Sequence, residues 1–294
     1  DEAHPEIQRG INAEIELAGA VPGIDVIFSG HADSGTESAH VHPTTGTLIM
    51  QTYGQGTRLG FLQLQLDESR SPNQIIAHEG KLIPVVSNDL SPHPVIARKL
   101  SQYKALFPEL QEILCFSEER VSRLYNEESD LGNLYADIIR EEVGAEIGFM
   151  PSGALRKDLP KGSVPLTDVI DSFPFTDRVA ELEMTGEQIL AVLEQSLTLE
   201  RGMLQVSGLR VGYDLSQPVG NRVMSVQVNE VDLKPEQLYR VSTVEIMAQG
   251  GDLFTTFRRA TRIERPDIRF SEVLAERLRE IGTLVIPKRG RLLP

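Results

Sequence analysis

Tryptophan is absent from this 294-residue chain, aromatic residues make up only 5% of it, and cysteine occurs once, at position 115. A lone thiol excludes an internal disulfide and a cysteine-built zinc site. Cys115 lies in the apolar run Ile113-Leu114-Cys115-Phe116 and is expected to be a packed strand residue. No stretch approaches the roughly 20 uninterrupted apolar residues that a membrane-spanning helix requires, so no membrane span is expected. Positive charge is also in deficit: 29 Lys and Arg against 43 Asp and Glu leave a formal net charge of −14. That balance lacks the basic footprint of a nucleic-acid binder, so no nucleic-acid polymer is expected as partner and any phosphate must meet local cations. The opening residues Asp1 to Arg9 are polar and charged where a signal peptide is apolar, and no methionine leads them, so a processed or cut start is expected.

What is present is enough apolar residue, 40%, for two ordinary domains. From Ile24 to Val86 short strands alternate with turns: Ile24 to Phe28, Thr47 to Met50, and Leu59 to Leu66, where Leu62, Leu64 and Leu66 recur with period two. From Pro92 to Leu106 the apolar residues Val95, Ile96, Leu100, Tyr103 and Leu106 fall near helical spacing, which predicts a connecting helix stopped by Pro108. Helix and strand then alternate. Helices are expected over Gly132 to Val143, from the capping box Thr185/Gln188 through Leu199, and over Ser271 to Ile281. Strands are expected at Ile147 to Met150, Arg178 to Met184, Val211 to Tyr213, Val223 to Val228 and Tyr239 to Val244.

Two motif matches dissolve on inspection. Asp1-Glu2-Ala3-His4 spells a helicase signature, but the phosphate loop that must accompany it occurs nowhere in the chain. Gly54-Gln55-Gly56 begins a glycine pattern like a dinucleotide fingerprint, yet a strand follows where a helix is required, so it reads as a turn. His40 and His42 share a strand face, but His42-Pro43 before Thr44-Thr45-Gly46 reads as a solvated hairpin turn rather than a metal pair. His4, His78 and His93 have no partners at ligand spacing and are expected at the surface. The segment Ile24 to Asp33 is different: a buried strand ending in Gly30-His31 delivers an imidazole at its carboxyl end, and Asp33 two residues on supplies a hard ligand beside the borderline one.

The run from Val21 through Gly30-His31 resembles the last metal-binding motif of calcineurin-like metallophosphoesterases, as used in the 5′-nucleotidase family. Glu128 to Asp137 resembles the helix that opens that family's C-terminal domain. Ser152-Gly153-Ala154-Leu155-Arg156, Pro174-Phe175 and Gly250-Gly251-Asp252-Leu253-Phe254 follow in the family's order. The resemblance implies an α/β chain in three parts. Residues 1–90 are the tail of a metallophosphoesterase sheet domain, 91–108 a connecting helix, and 109–294 a separate α/β C-terminal substrate-binding domain.

It also implies roles. His31 is a metal ligand, and Asp33 stands where a second histidine or an amide is usual. Phe175 and Phe254 sandwich a nucleobase, a flat ring whose stacking on an aromatic contributes roughly 1–3 kcal/mol without demanding one base. Arg156, with Ser152 and Gly153 of the small-residue loop before it, meets the anionic end of the substrate, although Pro151-Ser152-Gly153 replaces the family's usual Asn-Gly-Gly and removes one amide. Asp252 either contacts a ribose or holds the second glycine turn.

The activity implied is hydrolysis of nucleotide phosphate esters at two divalent metal ions such as zinc or manganese. The C-terminal domain holds the nucleotide or nucleoside, and rotation about the connecting helix exchanges substrate and product. The family's earlier motifs, Asp-x-His and Gly-Asn-His-Asp/Glu, do not occur, so at most a partial metal site and no hydrolysis by the chain alone are expected. The alternative is a module that binds nucleotide or nucleoside without hydrolysing it. Relatives of this kind are typically periplasmic, in the cell envelope or secreted.

Overall fold

A computed structural model describes residues 5–30, 34–54, 56–69, 74–86, 90–264 and 267–294. The chain divides into two compact units, Asp1–Leu100 and Ser101–Pro294.

The first unit opens with helix α1 (Pro5–Ala20), for which the sequence offered no expectation. Its face carrying Ile11, Ile15 and Ala18, at spacings of four and three, packs with Ile27 and Ile49 into a small cluster. Strands β1 (Val26–Ser29), β2 (His40–Val41) and β3 (Leu48–Gln51) form a sheet in the order β1-β3-β2, with β1 parallel and β2 antiparallel to the central β3. The strand leading to Gly30 is not buried as expected: Phe28 is 63% exposed, and only β3 lies fully inside. The turn after β2 is present, but His42 is buried rather than solvated. Its Nδ1 accepts from the Thr45 amide at 3.2 Å and meets the Thr45 hydroxyl at 2.9 Å, which ties the turn through the ring. His78 and His93 are exposed as expected, while His4 lies outside the described residues.

Strands β4 (Arg58–Asp67) and β5 (Gln74–Pro84) pair as a long two-stranded hairpin with an irregularity at Gln65/Leu66. Helix α2 (Pro94–Lys104) occupies the place of the expected connector. None of its side chains is buried, and the residues that suggested an apolar face, Val95, Ile96, Leu100 and Tyr103, are all exposed.

The second unit holds a continuous core. It begins with β6 (Ile113–Ser117), in which Cys115 is buried as expected, and α3 (Asp130–Glu142). Ser129 caps α3 by accepting from the Gly132 amide at 3.1 Å, and the helix buries Leu131, Leu134, Tyr135, Ile138 and Ile139. There follow β7 (Ile147–Pro151), β8 (Gly162–Pro165), α4 (Leu166–Ser172), β9 (Val179–Thr185) and α5 (Gly186–Ser196). The Thr185/Gln188 capping box is formed. Helix α5 ends short of Leu199 because that residue turns into the left-handed region, with φ of 61°.

The remainder comprises β10 (Leu204–Ser207), β11 (Leu209–Tyr213), β12 (Val223–Val228), β13 (Val231–Asp232), β14 (Leu238–Val244), α6 (Glu245–Ala248), β15 (Arg262–Glu264), α7 (Phe270–Ile281), β16 (Thr283–Leu284) and β17 (Leu292–Leu293). The central sheet runs β10-β7-β14-β9-β15, with β7 and β14 parallel to each other and the other pairings antiparallel. Two smaller sheets, β13-β12-β11-β17 and β16-β6-β8, complete the unit. The C-terminal strand is held by charge. The Glu128 carboxylate accepts from the amides of Gly290, Arg291 and Leu292, and Asp137 grips the Arg291 guanidinium with two bonds of 2.7 Å.

Candidate functional site

The small-residue loop leaves the end of β7 as a single tight turn, Ser152–Ala154. Ser152 is buried, its hydroxyl donating to the Met203 carbonyl and accepting from Gln205 Nε2 at 2.9 Å, so both of its capacities tie β7 to β10. Gly153 is half-buried: a Cβ there would sit 3.8 Å from the Arg201 carbonyl oxygen and from the Tyr125 ring. The Arg156 amide then donates to the Ser172 carbonyl at 2.8 Å, which fixes where its side chain leaves the backbone.

That side chain reaches Phe175. The guanidinium carbon lies 5.4 Å from the ring centroid, a cation–π arrangement. Phe175 is half-buried and is the outer member of a run of rings: it meets Phe173 edge to face at 5.5 Å, Phe173 meets Phe270 at 5.1 Å, and Phe270 meets Tyr135 at 6.0 Å. Each interlocked ring restricts the next, so Phe175 is a platform with little freedom to turn. Lys157 faces away into ion pairs with Asp168 and Asp171 at 2.7 and 2.9 Å, and the Asp168 bond above all holds its ammonium pKa up.

Phe254 ends a second run, tilted on Phe257 at 6.4 Å, with Phe257 edge-on to Phe149 at 5.8 Å. It is only 3% exposed. The turn that presents it is shaped by glycine. A Cβ at Gly250, where φ is 78°, would come 2.6 Å from Arg258 Nε, and one at Gly251 would come 2.8 Å from the Ile246 carbonyl. Asp252 and Leu253 continue in the left-handed region at φ of 49° and 67°, a conformation that non-glycine residues adopt at a cost. Both are exposed. With Phe254 they line a cleft of about 110 Å³ whose other wall is Gln195, Thr198, Glu200 and Arg201.

The expected residues therefore gather in two places. Arg156 and Phe175 touch each other, Asp252 and Phe254 share the cleft, and Gly153 adjoins the Arg201 backbone on the cleft's wall. No ring contact joins Phe175 to Phe254 among the described residues. Gln195, Thr198, Arg201 and Tyr125 carried no signal in the sequence, since only folding brings the end of α5 beside the glycine turn. Two residues beyond Phe175, Asp177 accepts from the Ile246 amide at 3.0 Å at the start of α6. Burial pushes its carboxyl pKa up, and the nearby Glu245 charge adds to the rise.

His31 and Asp33 lie outside the described residues. The residues flanking them are pinned to one buried side chain: Gln51 Oε1 accepts from the Ser29 hydroxyl at 2.8 Å, and Gln51 Nε2 donates to Ser34 Oγ and the Ser34 carbonyl at 2.9 Å. Among the described residues no group of three or more His, Cys, Asp or Glu side chains is placed to hold a metal ion. The described residues do not compose a two-metal centre.

Residues 110–259, about half of the chain, match the family model of the 5′-nucleotidase C-terminal domain. The chain belongs to the 5′-nucleotidase family. A trifunctional nucleotide phosphoesterase, YfkN, of Bacillus subtilis is 27% identical over 96% of this chain and 21% of its own length. An apyrase of Tabanus yao is 25% identical over 96% of this chain and 59% of its own. The chain thus spans between about a fifth and three fifths of these curated relatives. In fold it is similar to the 5′-nucleotidase precursor of Thermus thermophilus, with a TM-score of 0.79 and 24% identity over 99% of this chain and 67% of that one. The family's C-terminal domain covers β7, the Arg156 loop, Phe175, α5 and the Asp252–Phe254 turn.

Proposed function

We propose that this chain supplies the nucleoside-binding part of a nucleotide phosphate-ester hydrolase. The observation that carries the reading is the Arg156 guanidinium seated over Phe175, a ring that core aromatics hold rigid and that is left half-exposed. A base laid on Phe175 takes the guanidinium's place on the ring, and the displaced cation turns to the anionic end of the same ligand. Phe254, Asp252 and Gly153 belong to the same proposal. At 3% exposure Phe254 offers a base almost no surface, and a full sandwich requires the strained Asp252–Leu253 turn to move.

Hydrolysis in this family draws on divalent metal ions, for which zinc or manganese is the proposed choice, with His31 and Asp33 as proposed ligands. We derive no hydrolytic step from the described residues, and we propose that the chain alone binds nucleosides weakly without releasing phosphate. Nucleoside monophosphates, cyclic nucleotides and UDP-sugars all present a base to stack and a phosphate to cleave. Among the described residues no helix is long and apolar enough to cross a membrane. An exported location, in periplasm, envelope or medium, is part of the proposal.

The test is calorimetric titration with adenosine, uridine, AMP and UDP-glucose. The reading expects saturable binding of all four and roughly tenfold weaker binding by Phe175→Ala, from a stacking contribution of about 1–3 kcal/mol. With AMP and added zinc or manganese, no phosphate should appear. Absence of binding overturns the nucleoside reading, and appreciable turnover overturns the claim of inactivity.

A further inference from the structure

An exposed aromatic ring stands beside the Arg156 loop and has no part in the nucleoside site. Tyr125 is 45% exposed, yet its backbone is fixed, its carbonyl accepting from the Met203 amide at 2.8 Å. The ring lies against two glycines: a Cβ at Gly202, where φ is 80°, would come 3.1 Å from it, and one at Gly153 would come 3.8 Å from it. Two residues earlier the Arg123 guanidinium donates to the Leu155 carbonyl at 3.3 Å. The segment from Arg123 to Tyr125 therefore runs along the loop that leads to Arg156. From Gly153, against which the ring lies, three residues of chain to Arg156 span at most about 11 Å.

The other side of Gly202 is the cleft. Arg201, the residue before it, lines that cleft with Glu200 and Asp252. All three side chains are exposed, and among the described residues none of them makes a side-chain hydrogen bond or ion pair. Two carboxylates against one guanidinium leave this end of the site with an excess of negative charge, which repels a further phosphate. A neutral group rich in hydroxyls is matched instead, since the carboxylates accept from hydroxyls and the guanidinium donates to them. The adjoining ring supplies a flat apolar face.

We propose that Tyr125, Glu200, Arg201 and Asp252 form a subsite for a neutral, hydroxyl-rich ring attached beyond the phosphates, as in a nucleoside diphosphate sugar. With the base on Phe175 and the phosphates at Arg156, the sugar lays its C–H face on Tyr125 and turns its hydroxyls to the cleft. The inference rests on the reading of this domain as nucleoside-binding and narrows it: stacking on Phe175 treats UDP and UDP-glucose alike, so a preference between them has to come from groups such as these.

Calorimetric titration with UDP-glucose, UDP and uridine tests it. The wild-type chain is expected to bind UDP-glucose roughly tenfold more tightly than UDP, the effect of one ring-face contact and the hydroxyl bonds beside it. Tyr125→Ala should bring the ratio close to one by weakening UDP-glucose and leaving UDP and uridine unchanged. Phe175→Ala should weaken all three alike and preserve the ratio. If Tyr125→Ala does not fold, Glu200→Gln, on an exposed side chain, removes one repulsive charge and should shrink the ratio by tightening UDP. A wild-type ratio near one, a ratio that survives either substitution, or an equal loss of UDP and UDP-glucose in Tyr125→Ala overturns the subsite while leaving the nucleoside site standing. Failure to bind either UDP ligand also overturns the subsite, and if uridine fails to bind as well the underlying reading falls with it.

Discussion

The two units use the same apolar residue types to very different effect. In Ser101–Pro294 the side chains from Leu114 to Leu292 close into one core, with aromatic runs inside it and charged groups such as Glu128 fully matched. In Asp1–Leu100 only Ile11, Ala18, Leu48, Ile49 and Met50 are buried among the described apolar residues, while Phe28, Leu59, Leu66 and Ile76 are exposed. Periodicity specifies which side chains share a face, and burial depends on whether anything lies over that face. The hairpin β4–β5 has its alternating leucines and lacks the burial; β9 has both.

Substitutions sharpen the contrast. Phe149→Ala, in a fully buried run of rings, should cost about 3–5 kcal/mol of stability in urea unfolding of the second unit. A smaller loss, about 1.5–3 kcal/mol, is expected for Glu128→Gln, because a charged acceptor shared by three backbone amides is replaced by a neutral one. Thr185→Ala removes half of the capping box of α5 and should cost about 1 kcal/mol by the same measurement. Leu64→Ala in the first unit, at 36% exposure, should change stability by no more than about 0.5 kcal/mol. A loss for Leu64→Ala comparable to that of Phe149→Ala would break the comparison.

Cys115 gives the second unit a pH signature. Burial raises its thiol pKa to about 11, so the folded state holds this proton more tightly than the unfolded chain, whose thiol sits near 9.0. Stability from this group is therefore complete below pH 9.0 and is lost as pH rises toward about 11. In the native protein at pH 8 a thiol reagent should react with Cys115 only on addition of denaturant.

Legibility follows the same divide. The capping box at Thr185, the strand around Cys115 and the helix through Ile138 are readable because local chemistry and core packing agree there. Helix α1 is poorly legible, although Ile7, Ile11 and Ile15 recur every fourth residue, because this narrow apolar stripe lies in an otherwise largely polar and charged segment. His42 reads as solvated because a turn in the chain says nothing about what packs on it; Gly19 of α1 brings its backbone to the ring, where a Cβ would lie 3.3 Å from Nε2. In the candidate site, Phe175 and Phe254 stand out beside Pro174 and Gly250-Gly251 in a chain poor in aromatics. The aromatic runs behind them, the internal bonds of Ser152 and the cleft at Gln195 arise between residues dozens of positions apart, where no local pattern records them.

Amide hydrogen exchange with and without adenosine tests the central claim most directly. The account predicts slowed exchange in residues 152–156, 172–177 and 249–255 of the second unit, with the strands β1 to β3 of the first unit unchanged. Protection confined to the first unit, or none in those three loops at saturating adenosine, would contradict it.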